Sequence, residues 1–233
     1  MSILLIDQKR LEAIQDDPDR ATEANQIKRH LAQAQDDAWL ALHQQTLFSD
    51  CGVKHRDCTM ANYRTATPEQ ERFKIFIKKI CGNIGQICRA GKNVLLLGPC
   101  GSGKDHAASA IAKCAIACGY SARNATGYQF QQMLADMRES KLDRSEFNEV
   151  FVDPDLLWLS DPYFSSIALT PSAASNLFGV IDTRYRTGRS TVVTCNSTDM
   201  NHMLEMIGMP STDRLREGAL VATTTWASYR GAK

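Results

Sequence analysis

The sequence predicts an α/β protein, a parallel sheet flanked by helices, and three observations carry that prediction. Short apolar runs occur at Asn93–Leu97, Leu156–Leu159, Thr191–Thr194 and Leu220–Thr225. Stretches of helical period separate them, and a glycine-rich loop joins the first run to the helix that follows. Strands alternating with helices imply crossover connections, which bury a parallel sheet on both faces.

Residues 1–47 read as helix: they contain no glycine, and their one proline, Pro18, stands between Asp17 and Asp19 where a helix restarts. Ile27, Leu31, Ala34 and Ala38 recur at three and four, followed by Trp39, Leu42 and Leu47, so the segment is one amphipathic helix or a helical pair. An element this small does not bury a core alone. Its apolar face packs on the rest of the chain or awaits a partner. Residues 48–66 are polar and aperiodic and read as a connector, so the expected division is 1–64, a helical arm with its connector, and 65–233, the core. From Pro68, Phe73, Ile75, Phe76, Ile80 and Ile84 mark a helix, and the alanine-rich stretch 104–118 is another, ended by Gly119.

The formal net charge is +1 over 233 residues, but it is unevenly spread: 1–64 carry 8 basic and 10 acidic side chains, 65–233 carry 19 and 16. A chain that coats nucleic acid by charge alone is excluded, whereas an acidic arm for a protein partner and a mildly basic core for phosphates are not. No apolar run approaches the ~18 residues of a membrane span, and Met1–Ile6 is too short for a signal peptide, so no membrane and a cytoplasmic location are expected. Eight cysteines without a C-x-x-C spacing read as reduced core residues rather than a zinc site or disulfide framework.

The sharpest signal is Gly98-Pro99-Cys100-Gly101-Ser102-Gly103-Lys104, between an apolar strand and a helix. Glycines let backbone N–H groups curl around a phosphate, the helix N-terminus adds positive charge, and the lysine reaches the outer phosphates. Asp105 stands where a Ser or Thr hydroxyl normally meets Mg²⁺. The second half of such a site, an apolar strand ending in two acids, here ends in Ser160-Asp161. Asp161 takes the catalytic-acid position, and the hydroxyl and the carboxylate at 105 and 160 have traded places. Either this is a reciprocal exchange around one ion, with Asp105, Ser160 and Asp161 holding it, or two independent losses leave a site that binds weakly and does not hydrolyse. Asn196, after the strand ending in Thr194 and Cys195, either orients a water beside the γ-phosphate or is an ordinary turn residue. Asp213-Arg214-Leu215-Arg216 offers either an arginine for a neighbour's phosphate or a solvated helix face.

With these markers in place, the chain resembles the DnaC/DnaI-type helicase loaders and, more distantly, the IstB-type transposition ATPases, all of the AAA+ class. The resemblance runs from about Cys51 to Arg230, through Gly52-Val53, Met60-Ala61-Asn62-Tyr63, the loop continued by His106-Ala107, Ile181-Asp182, Arg184-Tyr185-Arg186, Asp213-Arg214-Leu215 and Trp226-Ala227-Ser228-Tyr229-Arg230. It implies a P-loop AAA+ core without a large C-terminal lid, with ATP or ADP and Mg²⁺ held by residues 98–106. It also implies a sensor role for Asn196, a catalytic role for Asp161 and an arginine-finger or second-sensor role for Arg214. Pro210 replaces an arginine that loaders often carry there. The implied partners are a replicative DnaB-type helicase, gripped by the N-terminal helices, single-stranded DNA, and further copies of the chain on the helicase. Lys141, Arg144, Arg184, Arg186 and Arg189 are the cations expected to follow a DNA backbone, with Tyr185 the nearest aromatic. A transposition helper, or a nonhydrolysing helicase-binding adaptor or inhibitor, are the alternative readings.

Overall fold

The computed structural model describes residues 18–163, 167–197 and 199–229, so expectations for 1–17 and for Arg230 lie outside the described residues. Five parallel strands form one sheet: β1 (Val94–Leu97), β2 (Ala122–Thr126), β3 (Leu156–Ser160), β4 (Ser190–Cys195) and β5 (Leu220–Thr223), in the order β2-β3-β4-β1-β5. The predicted α/β class is thus observed, with strand ends within a residue or two of the apolar runs. Ten helices occur among the described residues: α1 (Pro18–Cys51), α2 (Val53–Arg56), α3 (Pro68–Gly82), α4 (Ile84–Arg89), α5 (Lys104–Ala117), α6 (Gly127–Arg138), α7 (Arg144–Phe151), α8 (Pro171–Arg186), α9 (Met200–Ile207) and α10 (Met209–Arg216). None is long and apolar enough to cross a membrane.

Local chemistry starts these helices. Thr67, Thr126 and Asp143 each accept from the backbone N–H three residues on, while Gln70, Gln129 and Glu146 reach back to the cap's own N–H, closing reciprocal capping boxes on α3, α6 and α7. Pro68 and Pro171 sit in the first turns of α3 and α8, where a missing N–H costs nothing.

The chain divides into two compact units, 1–43 and 44–233. In the first, α1 is continuous from Pro18, and residues 32–38 are exposed; Gln33 donates to Asp37 and Trp39 stacks on His43. In the second, the end of α1 and the segment expected as a connector pack on the core through Leu47, Cys51, Met60 and Tyr63. With no glycine or proline between Pro18 and Gly52, nothing stops the helix until Gly52 at φ 68°. Leu47 is fully buried, and Asp50 takes a two-pronged bond from Arg123 (2.6 and 3.1 Å) that ties the helix end to edge strand β2. Within 48–66 the buried residues are Cys51, Met60 and Tyr63, while most of the polar side chains stay exposed.

On one face of the sheet a core forms around Leu95, Leu97, Leu157, Leu159 and Val193 with Phe130, Phe147 and Phe151, whose rings stand 4.8–5.8 Å apart. On the other, Ile111 and five alanines of α5 are fully or almost fully buried, the small side chains letting that helix lie close to the strands. Both faces being covered, the sheet is open only at its ends. The phosphate loop leaves the carboxyl end of β1, between β4 and β5.

Candidate nucleotide site

Two glycines of the loop have specific steric reasons. Gly98 (φ 143°) lies so close to Thr224 that a Cβ would meet its hydroxyl at 1.9 Å, and at Gly103 (φ 93°) a Cβ would stand 2.6 Å from the Tyr63 hydroxyl. The outside of the loop is thereby wrapped by residues from both ends of the core. Ser102, completely buried, pairs with Thr224 (2.6 Å), while its carbonyl accepts from Trp226 Nε1 (3.0 Å) and Tyr229 N–H donates to Gly101 (2.9 Å).

At the inner side, Lys104 Nζ donates to the carbonyls of Gly98 (2.9 Å) and Pro99 (2.8 Å) and to Asn196 Oδ1 (3.1 Å), and Asn196 Nδ2 donates to Asp161 Oδ2 (3.0 Å). Burial lowers the Lys104 pKa, and neighbouring Asp105 and Asp161 oppose that shift. Asp161 itself is pushed up to about 6, first by burial and then by the charge of Asp105. Its backbone is held at φ 44° by two bonds, its N–H to Thr194 O (2.8 Å) and its carbonyl to Gly127 N–H (3.2 Å). A non-glycine residue fixed in that conformation is strained, and such strain concentrates where a side chain must be aimed.

Asp105 Oδ1 accepts from Ser160 Oγ (3.2 Å) and from Thr194 Oγ1 (2.6 Å). Parallel register pairs Ser160 with Thr194, which brings both hydroxyls to the first turn of α5. The two altered positions therefore face each other. Two neighbouring carboxylates, one already driven toward its neutral form, and two hydroxyls are a donor set that suits a hard divalent cation. Among the described residues no three His, Cys, Asp or Glu side chains are grouped so as to hold a metal ion.

Beside the lysine opens a cleft of ≈ 770 Å³, bounded by Gly101, Gly103, Lys104, Asp105 and His106 on the loop side and by His55, Asn62, Tyr63 and Tyr229 opposite. His106 bonds the carbonyl of Thr59 (2.8 Å), and burial lowers its pKa. Of the predicted loop residues, Gly98 and Pro99 face the lysine, Ser102 faces away, and Cys100 is exposed.

The structure does not bring Arg214 to this group. Its guanidinium bonds Asp182 (3.3 Å) and lies 4.6 Å over the Tyr185 ring, and its carbonyl accepts from Asn93, at the amino end of β1. The phosphate loop is at the other end of that strand, so a second-sensor role on its own nucleotide is removed by topology; only reach into a neighbouring copy remains. Arg184 also leaves the DNA-facing set. It is 1% exposed and wired to the backbone carbonyls of Val152, Pro154 and Ser190 and to Thr191 Oγ1. Lys141 pairs with Glu139, Arg186 with Asp182 and Arg189 with Asp153, all near the surface. Thr194, Tyr63 and Tyr229 are site residues the pattern alone did not single out; the two tyrosines stood only inside the family markers.

The family model described as IstB-like ATP binding protein matches residues 55–230. The chain belongs to that family. Among curated relatives, an ATP-binding protein of insertion sequence IS5376 from Geobacillus stearothermophilus is 31% identical over 146 residues, 60% of this chain and 55% of that protein, so the match spans just over half of the relative's length. The IstB-like core also matches solved structures in fold. The DnaC helicase loader superposes with a TM-score of 0.65 at 18% identity, covering 74% of this chain and 99% of that one. DnaI gives 0.58 at 15%, covering 74% and 90%, and AMPPCP-bound DnaA from Aquifex aeolicus 0.57 at 18%, covering 71% and 49%. The parallel sheet flanked by helices expected from the sequence is thus observed, in a fold shared with these proteins.

Proposed function

We propose that this IstB-like ATPase is a nucleotide-switched loader that delivers a replicative DnaB-type helicase to single-stranded DNA, gripping it through the N-terminal arm within residues 1–64. The observation that carries the nucleotide part is the continuous group Lys104–Asn196–Asp161 beside Asp105 and Ser160 at the mouth of the cleft. An arriving phosphate replaces the carbonyls of Gly98 and Pro99 as partners of Lys104. Asn196 holds both the lysine and Asp161, so that exchange is felt at the carboxylate. Asp161, titrating near 6, is poised to take a proton from a water attacking the γ-phosphate. Asp105, Ser160 and Asp161 would hold Mg²⁺, which when bound offsets phosphate charge. His55, Tyr63 and Tyr229 line the space left for the nucleoside.

The fold likeness that extends over 99% of the DnaC chain supports the loader reading. A second reading, a helper that hands DNA to a transposase, is favoured by the 31% identity to the insertion-sequence protein. In either case copies assemble so that Arg214 meets a neighbour's nucleotide, and contact with DNA through Lys141, Arg144, Arg186 and Arg189 is weak and salt-sensitive. The test is co-purification of the full chain with a DnaB-type helicase and with an IS21-type transposase, in ATP, ADP and no nucleotide, alongside ATP turnover with and without single-stranded DNA. Helicase retained in a nucleotide-dependent way is the expected outcome. Retention of transposase instead selects the second reading, and helicase binding without turnover selects a nonhydrolysing adaptor.

A further inference from the structure

We infer that Thr194 and Ser160 form a hydroxyl clamp on Asp105 that makes this residue a one-oxygen ligand and so selects Mg²⁺ over Ca²⁺ for nucleotide binding. The inference rests on the reading above that Asp105 meets the ion. Both hydroxyls converge on the same carboxylate oxygen, Oδ1, at 2.6 Å from Thr194 and 3.2 Å from Ser160, and stand 3.2 Å from each other. Among the described residues, Oδ2 takes no hydrogen bond in this set. The Thr194 hydroxyl has one proton, and the short contact commits it to Asp105; its oxygen in turn accepts from Trp158 Nε1 (3.4 Å). Trp158 and Thr194 are each 1% exposed, so the clamp is backed by side chains that have nowhere to turn. Strand register fixes it further, because Ser160 and Thr194 are direct partners across β3 and β4.

The chemical consequence follows from what the two ions require. Mg²⁺ demands a compact octahedron and takes single carboxylate oxygens, whereas Ca²⁺ accepts more ligands at longer range and readily uses both oxygens of a carboxylate. Engaging Oδ1 as well would break a 2.6 Å hydrogen bond and leave the buried Thr194 hydroxyl only its longer, 3.2 Å contact to Ser160 Oγ. A clamped Asp105 therefore withholds the second oxygen. Thr194 acts here as a positioning residue, through Asp105, rather than as an ion ligand.

The test is equilibrium binding of the fluorescent nucleotide N-methylanthraniloyl-ADP to the full chain, by anisotropy, in Mg²⁺, in Ca²⁺ and in EDTA. Wild type is expected to bind at least about tenfold more tightly in Mg²⁺ than in Ca²⁺. Thr194→Val, nearly the same shape, and Ser160→Ala are each expected to shrink that preference by a factor of about three or more, while Thr194→Ser keeps it. Folding of each variant is checked by its urea midpoint, and Ser160→Ala, which removes a single oxygen at the end of β3, carries the test if Thr194→Val does not fold. An unchanged Mg²⁺/Ca²⁺ ratio in folded variants overturns the clamp, as does a wild type that needs an ion but does not discriminate. Equal binding in EDTA and Mg²⁺ overturns the underlying ion assignment as well.

Discussion

Each end of the sheet buries a cation, and the two are held in opposite ways. At the amino end, Arg184 spends its donors on carbonyls of the α7–β3 turn and of β4, and on a threonine hydroxyl, a set contributed by rigid backbone on several elements. At the carboxyl end, Lys104 is almost as buried, at 4%, but two of its three partners belong to its own loop, and the third, Asn196, is shared with an acid. The first cation is complete without any ligand. The second has partners that a phosphate can replace, next to carboxylates whose own charges are unbalanced. Burial alone does not tell structural from functional charge; what separates them is whether the partners are fixed.

The largest effect expected from that contrast is at the amino end. Arg184→Met leaves several buried carbonyls without a donor and is expected to lower stability by roughly 3–5 kcal/mol, much of the total for a domain. Urea denaturation reads the loss, and nucleotide affinity per folded molecule should be unchanged. A variant that folds normally but no longer binds nucleotide would invert the comparison.

Lys104→Met is the complementary case. Only the buried Gly98 carbonyl loses its donor away from water, whereas the Pro99 carbonyl is part-buried, so stability should fall by about 1–2 kcal/mol, less than at Arg184. Nucleotide affinity should fall by roughly 10–100-fold, the worth of charge-assisted bonds to phosphate at a partly desolvated site. Parallel urea curves and nucleotide titrations measure both; a stability loss equal to that of Arg184→Met would make the lysine structural.

The same contrast explains what was legible in the sequence. Strands β1, β3 and β4 are buried on both faces and announce themselves as apolar runs, and the phosphate loop is local, its chemistry contained in seven consecutive residues. Edge strand β2 was not read: Ala122–Thr126 is half polar because Arg123 is fastened to Asp50 and Asn124 Nδ2 bonds the carbonyl of Trp158. Arg184 looked like one of a row of helix cations, since the carbonyls that claim it arrive from other elements. Thr194 carried no signal for a related reason, because its role exists only through the register that sets it beside Ser160. Local chemistry is visible in a sequence, whereas partners contributed by topology are not.

The smallest effect, and the one that probes the imbalance at the carboxyl end directly, is the pH dependence of Asp161. Its folded-state pKa of about 6 lies above the roughly 3.9 of an unfolded aspartate, so the folded chain binds this proton more tightly. The cost of the buried charge is therefore absent below about pH 4, grows as pH rises, and is complete above about pH 6. Asp161→Asn removes the charge at every pH. It should be more stable than wild type by on the order of 1 kcal/mol at pH 8, the shift being discounted for the solvent that reaches the group, and show no gain at pH 4. Hydrolysis, if Asp161 takes the proton, is lost in the same variant. Asp105→Asn removes the second cause of the shift, so the wild-type pH step should move to lower pH in that background. Thermal melts between pH 4 and 8 decide the matter: equal stability of wild type and Asp161→Asn across the range would mean that the carboxyl end is as well balanced as the amino end.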